Sequence, residues 1–280
     1  MMKISNEIEF SQRDVLRNIT LPNKLDSKLA ELIGVLMGDG HIGIYADKTR
    51  NNKVCRYQIH ISGHMLDDYL HHHYVNALFK DVFNVQLKIN VQVKKNALYS
   101  TIGSKAIALF FKSMEFPMRN KSNSCAIPPL IFCASQNAKA AFLRGVFDTD
   151  GTLTFKERKK TNHSYPVIKL IFKSEVLVEG LRILLTDLNI YFTSNIETSF
   201  DKRFDKWFTK YAIYIRGHKN LSKWINQIGF SNHKHITKHK IWKKFGFCPP
   251  YTTIKQREYI LIGILNPSSF YKNNGGPAGI

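Results

Sequence analysis

The chain has 280 residues, 44% of them hydrophobic, enough to bury one large core or two intimately joined ones. No run approaches the roughly 20 apolar residues that span a bilayer, the N-terminus MMKISNEIEFSQRD lacks the apolar core of a secretory signal, and the four cysteines form no CxxC pair. Lysine and arginine total 41 against 21 acids, a formal charge of +20, which excludes little by itself but points to a polyanionic partner, most often nucleic acid, met inside the cell.

In chain order, residues 1–24 precede a first unit, 25–125. Its pattern predicts a helix over Ser27–Gly38, strands near His41–Tyr45 and Val54–Ser62, and a helix near Met65–Val82. Strands near Val85–Val93 and Ala97–Gly103 follow, then a helix from about Lys105. The stretch Met118–Pro129 reads as a linker, and a second unit, 126–247, repeats the order with a longer hairpin at Phe200–Lys206. Residues 248–280 form an extension with no assignment and a loose Gly/Pro end.

The second unit is the first written again. LAELIGVLMGDGHIG (Leu29–Gly43) aligns with AAFLRGVFDTDGTLT (Ala140–Thr154), so Asp39 falls on Asp150 at an offset of 111 (150 − 39 = 111). The same offset places Ala30 on Ala141, Gly34 on Gly145, Gly38 on Thr149, and RYQIHIS (Arg56–Ser62) on VIKLIFK (Val167–Lys173). At an offset of 114, Lys105 falls on Lys219.

Strand parity suggests what the sheets do. From Val85 to Lys94 the sequence alternates strictly: Val85, Leu87, Ile89, Val91 and Val93 point to helices, while Gln86, Lys88, Asn90, Gln92 and Lys94 point away. Gln58, His60 and Ser62 alternate likewise, as do Lys169 and Lys173. Amides and ammoniums suit base edges and phosphates in a DNA groove, although a solvated sheet face would show the same alternation.

On each motif helix the small residues fall four apart: Ala30, Gly34, Gly38, and Ala141, Gly145, Thr149. Such stripes allow closer approach than the usual 8–10 Å between helices, so the two helices are expected to pack on each other. Asp39 and Asp150 would then meet at adjacent C-terminal ends. There each carboxylate opposes a helix dipole and repels the other, a conflict that a divalent metal ion with added carbonyl ligands would remove. For a single copy, a plain Asp-Gly turn would explain the acid; two copies on matching helices favour chemistry. Lys105 and Lys219, at equivalent places after the fourth strand of each unit, could screen charge on a reacting phosphate or simply contact DNA.

LIGVLMGDG (Leu32–Gly40) and LRGVFDTDG (Leu143–Gly151) resemble the two motifs of a single-chain LAGLIDADG homing endonuclease, over roughly residues 25–247. The resemblance implies an α+β fold of two αββαββα halves about a pseudo-twofold axis, with antiparallel sheets forming a saddle on double-stranded DNA. It implies a monomer cutting both strands with Mg²⁺ or Mn²⁺, the metals held by Asp39, Asp150 and the backbone carbonyls of Gly38 and Thr149. It also places the family's catalytic-pocket lysine at Lys105 and Lys219. Met37 stands where the motif carries its first acid, whereas Asp148 keeps it.

Other signals are weaker. His71, His72 and His73 point about 100° apart on a helix, so they read as surface imidazoles rather than one metal site. His233, His235 and His239 lie in a basic stretch that reads as a solvated helix against phosphates, with His235 and His239 a weak zinc pair. No phosphate loop of the GxxxxGK[ST] kind is present. Two other functions fit the scaffold: a maturase binding its own intron RNA, and a DNA-binding protein that no longer cuts. Met1 is no splicing nucleophile and the chain does not finish on His-Asn, so the expectation is an intron-encoded or free-standing protein.

Overall fold

The computed structural model describes residues 8–46, 55–118, 125–158, 161–203 and 205–271. The first unit runs α2 (Ser27–Met37), β1 (Gly40–Ala46), β2 (Cys55–His64), α3 (Tyr69–Phe83), β3 (Lys88–Gln92), β4 (Ala97–Ile102) and α4 (Lys105–Ser113), after a short α1 (Gln12–Leu16). The second runs α5 (Gln136–Asp150), β5 (Thr152–Arg158), β6 (Thr161–Phe172), α6 (Glu175–Asp187), β7 (Thr193–Asp201), β8 (Lys206–Arg216) and α7 (His218–Gln227). Two further helices, α8 (His233–Phe245) and α9 (Ile254–Leu261), follow. Each unit builds one four-stranded antiparallel sheet, in the orders β1-β2-β4-β3 and β5-β6-β8-β7, so the duplicated sequence yields the same topology twice. The α+β expectation of two αββαββα halves holds.

Helix starts follow local chemistry. Asp26 accepts from the Leu29 amide, Ser104 from Ile107, Ser135 from Ala138 and Ser174 from Leu177, each satisfying a donor that the first turn leaves free. The extension before the first unit is also anchored: buried Asp14 on α1 accepts from the amides of Lys105 and Ala106 at the start of α4, at 3.2 and 3.1 Å.

The pairing of α2 with α5 sets the centre of the molecule. A Cβ added to Gly34 would sit 2.2 Å from the Phe142 carbonyl oxygen; one added to Gly145 would sit 2.3 Å from that of Glu31. Backbone thus lies on backbone, and Ala30 and Ala141 are buried beside the crossing. The helices' own Leu32, Ile33, Leu36, Phe142 and Phe147 join buried residues of both sheets in one core around this crossing.

Three expectations change. Strand β3 is shorter than its alternation suggests: it begins at Lys88 and gives way at Val93–Lys95 to a 3-10 turn. Leu87 is buried and Ile89 half-buried, but Val91 and Val93 are exposed, because the strand runs past the helices that should cover them. His71 and His72 are buried rather than on the surface; His72 Nδ1 hydrogen-bonds Ser100 Oγ at 2.7 Å. His235 is likewise buried, its ring 4.7 Å from that of Phe147, because α8 packs on α5 instead of lying in solvent. The C-terminal extension is folded as far as Tyr271: the Cys248 amide donates to the His163 carbonyl at 2.9 Å. The Gly/Pro tail, 272–280, and Val54 lie outside the described residues.

Gly34→Ala and Gly145→Ala should each lower stability by at least about 1–3 kcal/mol, since the contacted atoms are backbone and cannot turn away. Urea unfolding of both variants checks this, and a parent-like midpoint for either would place the helices further apart.

Candidate active centre

The close crossing brings the two Asp-Gly ends side by side. A Cβ on Gly38 would fall 2.0 Å from Thr149 Oγ1 and 2.9 Å from Asp150 Oδ2, so the Asp150 carboxylate leans across the interface onto the end of α2. Thr149 Oγ1 turns back into its own helix, donating to the carbonyls of Gly145 and Val146. Asp39 follows α2 half-buried, and its carbonyl accepts from Ser62 N and Oγ at 3.0 and 3.2 Å.

A cleft of about 390 Å³ opens here, lined by Gly38, Gly40, His41, Asp150, Ile171 and Lys173 among others. The basic side chain that the fold delivers is Lys173, whose ammonium lies 4.2 Å from the Phe208 ring centroid. Lys105 and Lys219 are not brought to it. Ser62 binds Asp39 and pairs with Tyr99, whereas Ile102 pairs with Ile59, so β4 ends opposite the middle of β2, past Ser62 and heading away from the acids. Lys105, beyond that end, pairs with Glu9 at 2.5 Å. Lys219 sits exposed in the first turn of α7, after Gly217 has bonded Pro166 well along β6 from Lys169, the partner of Thr152.

Behind the acids lies a polar network that joins the halves. Arg144 of α5 grips buried Glu31 of α2 through Nε, at 3.0 Å, and through Nη2. Tyr74 and Ser231 hydroxyls also donate to Glu31, each at 2.9 Å. Asp148 accepts from the amides of Ser231 and Asn232 at the start of α8; burial pushes its carboxyl up to about 7, against the pull of those amides. Its counterpart Met37 meets the Cys125 sulfur instead, at 4.0 Å. Lys234, also from α8, lies 3.1 Å from Asp68 Oδ1 and 3.5 Å from the Thr149 carbonyl. None of Glu31, Arg144, Asp68, Asn232 or Lys234 stands out in the sequence; only Asp148 carries a signal, its place in the motif.

The register also fixes which side chains share the outer sheet faces. In the first sheet His41, His60 and Thr101 are cross-strand neighbours, and Lys88 pairs with Thr101, Asn90 with Tyr99 and Gln92 with Ala97. Gln58 and Gln86 line a concavity with Lys88 and Arg17. Lys94 leaves the sheet on the 3-10 turn. In the second sheet Lys169 pairs with Tyr214 and is held 3.1 Å from Glu197, so its ammonium is already engaged. Arg216 stacks on Tyr214 at 4.2 Å and extends the same face.

The donors at the helix ends are all oxygens: two carboxylates and the adjoining carbonyls. Such a set suits a hard divalent cation, as Mg²⁺, Mn²⁺ or Ca²⁺. Among the described residues no three His, Cys, Asp or Glu side chains cluster as a metal site, so a zinc site at His235 and His239 finds no further ligands. Nor is any described helix long and apolar enough to cross a membrane.

His71, next to this network, is held neutral: burial drives its pKa down to about 3, and among the described residues its Nε2 meets no hydrogen-bond partner. The unfolded chain takes up this proton near 6.5 and the folded one does not, so stability present above 6.5 is lost as pH falls towards 3. Over that window His71→Leu should make the fall shallower by up to about 1.4 kcal/mol per pH unit. Denaturant unfolding at several pH values measures the slopes; parallel curves would mean His71 takes its proton in the folded state.

Known proteins resemble this chain in both sequence and fold. Residues 137–229 match a LAGLIDADG-like domain. A probable translation initiation factor of Methanocaldococcus jannaschii is 28% identical over 211 residues, 70% of this chain. A component of the A-type ATP synthase of Pyrococcus abyssi is 27% identical over 207 residues, 74% of this chain. The chain spans only 17% of either relative's length. Among solved structures, a double mutant of I-SmaMI superposes with a TM-score of 0.52 at 12% identity, covering 90% of this chain and all of that one. I-SmaMI bound to an uncleaved DNA target with calcium ions gives 0.50 at 12% identity, covering 85% and 94%. At these identities the likeness is one of fold.

Proposed function

We propose that this chain, with its LAGLIDADG-like domain set in a twofold-repeated fold, is a site-specific endonuclease that hydrolyses both strands of duplex DNA. The observation that carries the reading is the placement of Asp39 and Asp150. Two copies of one acid stand at the ends of helices packed so tightly that Gly38 must lack a Cβ to admit the Asp150 carboxylate. The division into halves 25–125 and 126–247, each contributing one acid and one sheet, belongs to this proposal.

Asp39, Asp150 and the carbonyls of Gly38 and Thr149 would hold the divalent metal. When bound, such a metal supplies a more acidic water and neutralises charge developing on phosphate. The chain's own groups do the rest. Lys173, lining the cleft, offers a fixed positive charge to the phosphate, and the Glu31–Arg144 pair keeps the two helix ends in register. The outer faces, with Gln58, His60, Gln86, Lys88, Asn90 and Gln92 in one half and Lys173 and Arg216 in the other, offer donors to the DNA grooves, whereas Lys169 would first have to leave Glu197. The I-SmaMI complex, with DNA and calcium, supports the partner and the kind of metal.

The curated relatives add a different support. A translation factor and a piece of an ATP synthase share no activity, yet both match this stretch over less than a fifth of their length. A module recurring in unrelated proteins has an activity of its own, and cutting DNA suits one that moves between genes. Because the matches lie within longer polypeptides, they weigh against confining this fold to intron-encoded proteins.

Asp39→Asn and Asp150→Asn should each abolish double-strand cleavage of a target selected from a randomised library in Mg²⁺, while DNA binding persists. Binding by the parent should weaken steeply with salt, at about 0.9 log units per log unit for each phosphate contacted. Cleavage undiminished in either variant removes the acids from the mechanism.

Lys173→Met should slow cleavage by about 10²-fold, the scale of losing one group that stabilises the transition state, while Lys105→Met and Lys219→Met stay within about threefold. Single-turnover rates on one duplex compare the three directly. The opposite ranking would put the catalytic charge at the ends of the fourth strands.

A further inference from the structure

The segment after the duplicated units closes a second cavity, of about 640 Å³, between edge strand β5, helices α8 and α9, and the loop before α9. Four cations reach it: Lys156 from β5, Lys234 and Lys238 from α8, and Arg257 from α9. His163 adds an imidazole, and among the described residues the single carboxylate in its wall is Asp67, which pairs with His64 at 3.4 Å.

The cations are poorly compensated. Arg257 is only 4% exposed, yet its Nε donates to Thr237 Oγ1 at 2.9 Å and its Nη1 to the Thr252 carbonyl, both neutral acceptors. Lys238 Nζ donates to the Leu153 carbonyl at 3.1 Å, again neutral. Among the described residues neither cation forms an ion pair, and Lys234 alone has a carboxylate, Asp68. Burial, helped by the charge of Arg257, pushes the Lys238 ammonium down to about 8. A buried guanidinium beside a half-buried ammonium, with Asp67 acting only at longer range and no carboxylate in ion-pair contact among the described residues, opposes folding, because each cation loses hydration and repels the other. Hydrophobic side chains of similar length would fill the same space without that cost.

We propose that this cavity is a binding site for a phosphate-type oxyanion, clasped by the Arg257 guanidinium and the Lys238 ammonium, with Lys156 at its mouth. The planar fork of a guanidinium beside an ammonium matches the several oxygens of a phosphoryl group, and four cations against one carboxylate exclude a metal ion. The phosphoryl group belongs either to a free anion or to a DNA backbone. The second source has a route: Lys234 borders the cavity and also reaches the Thr149 carbonyl, one residue from Asp150.

The test uses the full chain and inorganic phosphate, against chloride at equal ionic strength. Phosphate should raise the melting temperature of the parent and of Lys112→Met, an exposed lysine on α4 that serves as control. Lys238→Met should melt at or above the parent in chloride and lose the phosphate increment. Exposed Lys156→Gln, which threatens the fold least, should weaken phosphate binding several-fold by calorimetry. The two sources separate in the salt dependence of DNA binding. A log–log slope shallower by about 0.9 in Lys238→Met marks a DNA phosphate, and an unchanged slope with the phosphate increment lost marks a free one. Equal phosphate responses together with equal slopes in parent and Lys238→Met overturn the proposal. Neither arm depends on cleavage, so a failure here is distinct from a failure of the nuclease reading.

Discussion

Two helices without room for a side chain between them govern everything else in this molecule. At Gly34 and Gly145 even a methyl group would overlap a carbonyl of the opposite helix. Glycine within a helix costs about 1 kcal/mol relative to alanine, so the crossing is bought with local stability. In return the two helix ends are fixed side by side. The Asp150 carboxylate reaches the end of α2, and each sheet grows outwards from one of those ends. A wider crossing would separate the acids and tilt the sheets together, so centre and flanks share one constraint.

The parts legible in the sequence are those governed by short-range periodicity or by repetition. The small-residue stripes, the two Asp-Gly ends and the order of strands all follow from the offset of 111, because duplicated sequence folds into duplicated topology. Strand parity is equally local, and Leu87 against Lys88 shows it holding. It says which way a residue points but not whether anything lies there to cover it, hence the exposed Val91 and Val93. The histidines depart from expectation for a related reason: adjacent positions on α3 diverge, but both His71 and His72 lie within the arc that the core covers. Sequence equivalence alone puts Lys105 and Lys219 at the reacting phosphate. Only the antiparallel register reveals that the fourth strand of the first half runs away from the acid end, and only the folded cleft shows Lys173, not Lys105 or Lys219, in its wall.

What breaks the twofold repeat follows the last duplicated helix of the second half. Helix α8 inserts Asn232 and Lys234 beneath the acids, and Asp148 survives in the second motif with two α8 amides to satisfy. Met37 cannot accept from such amides and meets the Cys125 sulfur. The difference between Asp148 and Met37 thus follows what packs beside each, the start of α8 in one case and Cys125 in the other. No reading of one motif at a time could show it.

The pseudo-symmetry also fails at the lysine that lines the cleft. Lys173 corresponds, at the common offset (173 − 111 = 62), to Ser62, whose hydroxyl donates to the Asp39 carbonyl. If each half addresses one strand of a duplex, the strands meet unequal chemistry: one phosphate faces an ammonium and the other a hydroxyl already engaged. Breakage would then be ordered in time, with a singly nicked duplex accumulating before the second cut. The strand cut first would be set by which way round the asymmetric protein lies on its site.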